Sequence, residues 1–153
     1  MDSILSLLGL VLRAGRLAVG EEPVGAACRS HKAYLVLLAQ DAADNTIRRA
    51  LHFSQAGNSL CLSLPQSKDA LGRSLGRTSC AMLAVTDVGF AASIAEKLAK
   101  LDPEQYGTAR DTLTKKAARA KKRRDETRAH EKNLRMGKHP AARREKRKQN
   151  TDQ

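Results

Sequence analysis

Four positions could do chemistry on a polyanion. Arg16, Gly20, Arg73 and Arg77 fall in turns beside strand or helix ends, where contacts to a nucleic-acid backbone form. Gly20 has no Cβ, so a partner can approach the main chain closely there. Glu21 and Glu22 follow it at a helix start. Two readings are open for them: they complement the positive end of the helix dipole, or they accept hydrogen bonds from base amines and imines. For each Arg the plain alternative is a solvated surface charge.

The stretch that positions these groups is Ala14-Gly15-Arg16-Leu17-Ala18-Val19-Gly20-Glu21-Glu22. Gly15 ends a helix, because glycine tolerates the left-handed conformation that helix C-termini favour. Leu17 to Val19 reads as a short buried strand. Gly20-Glu21-Glu22-Pro23 opens the next helix, since Pro loses nothing in a first helical turn. Backbone N–H groups, a bare glycine and two carboxylates thus meet at one helix tip.

The charge supports a polyanionic partner. Among 153 residues, positions 1–101 hold 11 Lys and Arg against 8 Asp and Glu, a net of +3; positions 102–153 hold 17 against 8, a net of +9. The last third therefore carries three quarters of the net charge of +12, while apolar residues concentrate in the first two thirds. This predicts a globular domain over 1–101 and a basic extension over 102–153, helix-prone and partly disordered. Nucleic acid is the first partner class and an acidic membrane surface the second. Lys115, Lys116, Arg119, Lys121, Lys122, Arg123 and Arg124 are the candidate phosphate contacts of the extension. No aromatic residue follows Tyr106, so the extension has little means of stacking on bases. Its other reading is a solvated tail that aids solubility.

Cys28, Cys61 and Cys80 have no metal-ligand spacing and lie in apolar segments, as small buried hydrophobes of a reducing compartment do. The apolar start, Ile4 to Leu12, follows an acidic residue and runs into Arg13 with no small-residue cleavage site, unlike a signal peptide. It is too short to span a membrane. A cytoplasmic protein is expected.

The elements follow in order. A helix over Ser3 to Ala14, capped by Asp2 or Ser3, precedes the short strand. A second helix over Glu21 to Ser30 buries Val24, Ala27 and Cys28. Ala33 to Ala39 is an unbroken apolar run that fits a central strand, closing a right-handed strand-helix-strand crossover. Asp41 to Asp44 offer caps for a third helix that stops at Gly57, with Arg48, Arg49 and His52 around its polar side. Leu60 to Leu64 is a strand ended by Pro65. Ser67 caps a short helix broken by Gly76, with Gly72 as punctuation. Ala81 to Val85 is the fourth strand, and Gly89 to Leu101 the last domain helix. Tyr106-Gly107 reads as a linker. Asp111 to Met136 is rich in helix formers but carries no core; Gly137 and Pro140 break it before a terminal cluster, Arg143 to Lys148. The alternation of strands and helices predicts an α/β sandwich with helices on both faces of a small sheet.

Catalysis finds little support. Asp41, Asp44 and Asp87 stand at strand C-termini, where α/β sites form, but caps and turns explain them. His31, His52, His130 and His139 lack metal spacing, and no phosphate-binding glycine loop is present. A non-catalytic protein with no cofactor, no metal and no small-molecule substrate is expected.

Four stretches resemble one family: A-G-R-L-x-x-G-E-E (Ala14 to Glu22), K-A-Y-L-V-L-L-A-Q-D-A-A-D-N-T (Lys32 to Thr46), L-G-R-S-L-G-R (Leu71 to Arg77) and A-V-T-D-x-G-F (Ala84 to Phe90). Together they look like the kink-turn-binding ribosomal proteins, large-subunit protein seven-Ae and its thirty-e relatives, and in particular the small bacterial members encoded near translation-initiation genes. The resemblance covers roughly Ile4 to Leu101. It implies a three-layer α/β/α sandwich around a mixed sheet of about four strands. It also implies an RNA site made from the tip of the second helix and the loop before the fourth strand. Matched position by position, Gly20 and Glu21 keep the family tip. Glu22 stands where Asn or Lys is usual, Pro23 where Glu or Gln is usual, and Ala26 where a Lys often touches phosphate. The loop counterpart is Gly76-Arg77-Thr78-Ser79. The partner so implied is structured RNA, ribosomal or other, with the ribosome itself in reach. Two rival readings are an RNA-docking module for a separate RNA-modifying enzyme and a non-specific ribosome- or nucleoid-associated protein.

Overall fold

Leu35-Val36-Leu37-Leu38 is buried at every position, and so is Met82-Leu83-Ala84-Val85. An apolar run without polar alternation takes this form when layers cover both faces of a strand. A computed structural model describes residues 3–135. The order is α1 (Ser3–Arg13), β1 (Leu17–Val19), α2 (Glu21–Arg29), β2 (Leu35–Leu38), α3 (Asp44–Gly57), β3 (Leu60–Ser63), α4 (Lys68–Ser74), β4 (Met82–Val85), α5 (Val88–Leu101) and α6 (Pro103–Arg135).

The strands form one mixed sheet in the order β1-β4-β2-β3. β4 runs antiparallel to both of its neighbours, while β2 and β3 are parallel. Period-two alternation sorts the side chains into two layers. Leu35, Leu37, Leu83 and Val85 join Leu8, Val11, Leu71, Ile94 and Leu98 of α1, α4 and α5. Val36, Leu38, Met82 and Ala84 join Val24 and Cys28 of α2 and Ala50 of α3. The three-layer α/β/α sandwich and the four-stranded mixed sheet are as expected.

β1 and β2 run parallel, as a strand-helix-strand crossover requires, with β4 between them and Leu83 opposite both Val19 and Leu37. The fully apolar β4 takes a central place although it is the last strand. Two local expectations are corrected. First, α3 begins at Asp44 on Ala43, without a side-chain cap bond. Asp41 instead accepts from the Lys68 N–H at 2.8 Å, tying the end of β2 to the start of α4.

Second, Tyr106-Gly107 is helical rather than a linker. Tyr106, Ala109 and Leu113 recur at three- and four-residue intervals on one side of α6, and all are buried. Tyr106 and Leu113 belong to the same core layer as α1 and α5. The Tyr106 hydroxyl also donates to the Ser63 carbonyl on the edge strand β3. The first compact unit reaches Ala117. A second unit begins at Ala118. Its described part, to Arg135, is helical with no buried residue. It carries 8 Lys and Arg against 3 Asp and Glu, a net of +5. The cap at Asp2, the breaks at Gly137 and Pro140, and the cluster Arg143 to Lys148 lie outside the described residues.

Candidate nucleic-acid interface

Antiparallel pairing of β1 with β4 puts the residue after β1 beside the residues before β4. The Gly20 N–H donates to the Met82 carbonyl at 3.0 Å, and the buried Cys80 thiol lies against the same two residues, donating to the Met82 carbonyl at 3.4 Å. The α2 tip and the loop Gly76-Arg77-Thr78-Ser79 therefore sit at one end of the sheet, on a shared backbone seam. Burial raises the Cys80 thiol pKa; backbone N–H groups of Met82 and Gly20 and the charge of Arg77 pull the other way.

Gly20 caps α2 with φ 98° and ψ 164° and no side-chain hydrogen bond. That region of backbone space is essentially glycine's alone. The turn out of β1 thus demands this residue type before any ligand is considered. Glu21 forms an ion pair with Arg49 of α3 at 2.7 Å, and Glu22 beside it is exposed. Glu21, Glu22, Arg29 and the half-buried ring of Phe53 line a cavity of about 450 Å³ between α2 and α3.

The loop before β4 is held from below. A Cβ on Gly72 would lie 2.5 Å from the Ser79 Cα, so α4 and the loop pack backbone to backbone at a spot only glycine allows. Gly72 is thus more than punctuation. The Arg77 N–H donates to the Gly72 carbonyl at 2.7 Å and the Cys80 N–H to the Lys68 carbonyl at 3.0 Å. Gly76 turns the chain at φ 74°. Gly76, Arg77, Thr78 and Ser79 are all exposed. Arg73 is exposed on α4, with its Nε 3.4 Å from the Asp69 carbonyl oxygen.

Arg16 is not part of this group. It precedes β1 where Gly20 follows it, so the two lie about 13 Å apart along the strand. Its carbonyl accepts from the Thr86 N–H at the opposite end of the sheet. Of the extension residues, Lys115 and Lys116 fall in the first unit and Arg119, Lys121, Lys122, Arg123 and Arg124 in the second, where those five are exposed.

Arg49 was legible in the sequence only as a polar residue of α3. Its pairing with Glu21, 28 positions away, depends on α2 and α3 lying side by side, which periodicity does not reveal. Among the described residues, no group of three or more His, Cys, Asp or Glu could hold a metal ion. No described helix is long and apolar enough to cross a membrane.

Residues 2–95 match the ribosomal protein L7Ae/L30e/S12e/Gadd45 family. The chain belongs to that family. Among its relatives is the RNA-binding protein YlxQ of Bacillus subtilis, 38% identical over 85 residues, which are 56% of this chain and 84% of that protein. The protein of the same name from Enterococcus faecium is 33% identical over 87 residues, 57% of this chain and 82% of that one. A solved structure of a protein of unknown function from Bacillus halodurans C superposes with a TM-score of 0.58 at 31% identity, covering 63% of this chain and 96% of that one.

Proposed function

We propose that this chain is a non-catalytic, cytoplasmic RNA-binding protein that takes up structured, kink-turn-like RNA, ribosomal or other, at the α2 tip and the loop before β4. The seam at Gly20 and Met82 carries this reading, because it joins the two segments into one rigid surface. Gly20, Glu21 and Glu22 supply the edge that meets bases. Arg77 and Arg73 supply phosphate contacts, with the Thr78 and Ser79 hydroxyls as further donors. Family membership and the name borne by the two YlxQ relatives support RNA as the ligand. The exposed basic residues of α6 add sequence-independent affinity, each engaged cation contributing roughly 0.7 to 0.9 to the salt slope.

The test is a filter-binding salt titration of the full chain on a kinked RNA and on a plain duplex of equal length. Preference for the kinked RNA should persist when the chain is cut after Ala117, while both affinities and both slopes fall. Equal affinity for the two RNAs at every salt concentration would sink the reading and favour a non-specific nucleic-acid binder.

A further inference from the structure

The opposite end of the sheet holds a second basic surface. Gly15, Arg16, His31, Lys32, Tyr34 and Thr86 line a cavity of about 480 Å³ there. None of the six is acidic. Arg16, His31, Lys32 and Tyr34 are all exposed. Tyr34 stands just before β2 with 36% of its surface accessible, while the other tyrosine, Tyr106, is buried at 4%. The Tyr34 backbone is fixed, since its N–H donates to the Val85 carbonyl at 2.9 Å. The Thr86 N–H donates to the Arg16 carbonyl at the same distance. The cavity floor is therefore a rigid sheet end.

Arg16 and Lys32 follow the C-termini of α1 and α2, and cations there complement the helix dipoles. Dipole complement explains those two charges. It explains neither an exposed tyrosine ring among them nor the residue at position 31. His31 has φ 56° and occupies the left-handed position of a helix C-terminal motif: its N–H donates to the Cys28 carbonyl and the Lys32 N–H to the Ala27 carbonyl. Glycine takes that position without strain; histidine is held there at a cost, which places an imidazole on the cavity wall.

We propose that this cavity is a second nucleic-acid contact, one that takes a single-stranded RNA segment by stacking a base on Tyr34 and holding the flanking phosphate with Arg16 and Lys32. An aromatic face ringed by cations is the chemistry of sequence-tolerant single-strand binding. Because it shares no residue with the α2-tip surface, either site can fail without the other. With both occupied, the sheet spans two RNA segments.

The probe is a decauridylate titrated into the full chain, read by amide chemical shifts so that binding to α6 is scored separately. The Lys32, Tyr34 and Thr86 amides should shift saturably. Tyr34→Ser should weaken the affinity read at those amides roughly tenfold, and Arg16→Ala should lower the salt slope read there by roughly 0.7. His31→Gly should weaken binding while leaving thermal stability unchanged or higher. If Tyr34→Ser loses its dispersed spectrum, Tyr34→Leu, which keeps the bulk, replaces it. Unmoved amides at Lys32, Tyr34 and Thr86 would overturn the proposal. So would decauridylate binding with equal affinity at those amides in the wild type and in Tyr34→Ser, since that describes an anion cradle without base recognition.

Discussion

At the Gly20 end of the sheet, backbone lies on backbone: Gly20 bonds Met82, α4 presses Gly72 on Ser79, and Asp41 ties β2 to α4. At the Arg16 end, the strand termini are equally well bonded, but exposed side chains form the surface: Arg16, His31, Lys32 and the Tyr34 ring. The first end presents shape, set by glycines that no other residue can replace. The second presents charge and an aromatic face, set by residues the fold does not require. Substitution of the glycines should therefore damage folding at the first end, while substitution of the exposed side chains at the second should damage binding alone.

The largest effect should come from removing the brace on the first end. Tyr106 reaches Ser63 at the edge of the sheet, and Leu113 is fully buried. Cutting the chain after Leu101 removes both and should cost about 5 kcal/mol, judged by the 2–5 kcal/mol typical of one deleted core leucine. Cutting after Ala117 should cost almost nothing. Urea unfolding of the two truncations measures this; equal midpoints would return the boundary to Leu101.

Gly72→Ala comes next. Its Cβ would meet Ser79 backbone atoms at 2.5 to 2.9 Å, and backbone cannot step aside as a side-chain tip does. A loss of about 3 kcal/mol is expected, at the upper end of the usual cost of overpacking. A denaturant midpoint unchanged from wild type would show that the loop before β4 is not pinned as described. Gly20→Val should cost less, about 2 kcal/mol, because its strain is conformational: the nearest atom to an added Cβ is the Pro23 Cδ at 3.9 Å. Loss of RNA binding in that variant would thus mix fold and contact. Circular dichroism melts should show the destabilisation before any binding assay is interpreted.

The layers of the fold were legible because unbroken apolar runs and helical spacing state burial directly. The place of β4 was not, since nothing in the sequence order shows that the last strand inserts between the first two. The start of α6 was missed for a related reason. Leu113 was visible as an apolar position, yet the high density of Lys and Arg around it hid the spacing from Tyr106 through Ala109 to Leu113. At the candidate site, Gly20 and the loop from Gly76 to Ser79 could be named in advance. Arg16 could not be placed, because a residue before a strand and one after it look adjacent in sequence but lie at opposite ends of the sheet.

The cysteines give a pH test across the same comparison. Burial pushes the Cys61 thiol up to about 11, and Cys28 and Cys80 shift in the same direction for the same reason. Between the ordinary thiol value of 9.0 and the raised one, the folded state holds protons that the unfolded chain has released. The stability that Cys61 contributes is complete below pH 9 and is lost as pH rises towards 11, and Cys28 and Cys80 act in the same direction. Alkylation by iodoacetamide at pH 8 should be slow in the native protein and fast in urea. Rapid native labelling of Cys80 would mean that the seam beneath Gly20 opens.

Arg77→Ala should have the smallest effect and separates the two ends most finely. The side chain is exposed, and its N–H, bonded to the Gly72 carbonyl, survives the substitution. Stability should stay within about 0.5 kcal/mol of wild type, as for most surface changes. If Arg77 contacts phosphate, affinity should fall for every RNA by a similar factor and the salt slope should drop by about one. The amides of Lys32 and Thr86 should respond to decauridylate as before, because Arg77 lies a strand length away from them. A change in preference among RNA sequences would instead make Arg77 a reader of bases. An unchanged salt slope with unchanged affinity would leave it a solvated charge and move the phosphate contacts of this end to Arg73.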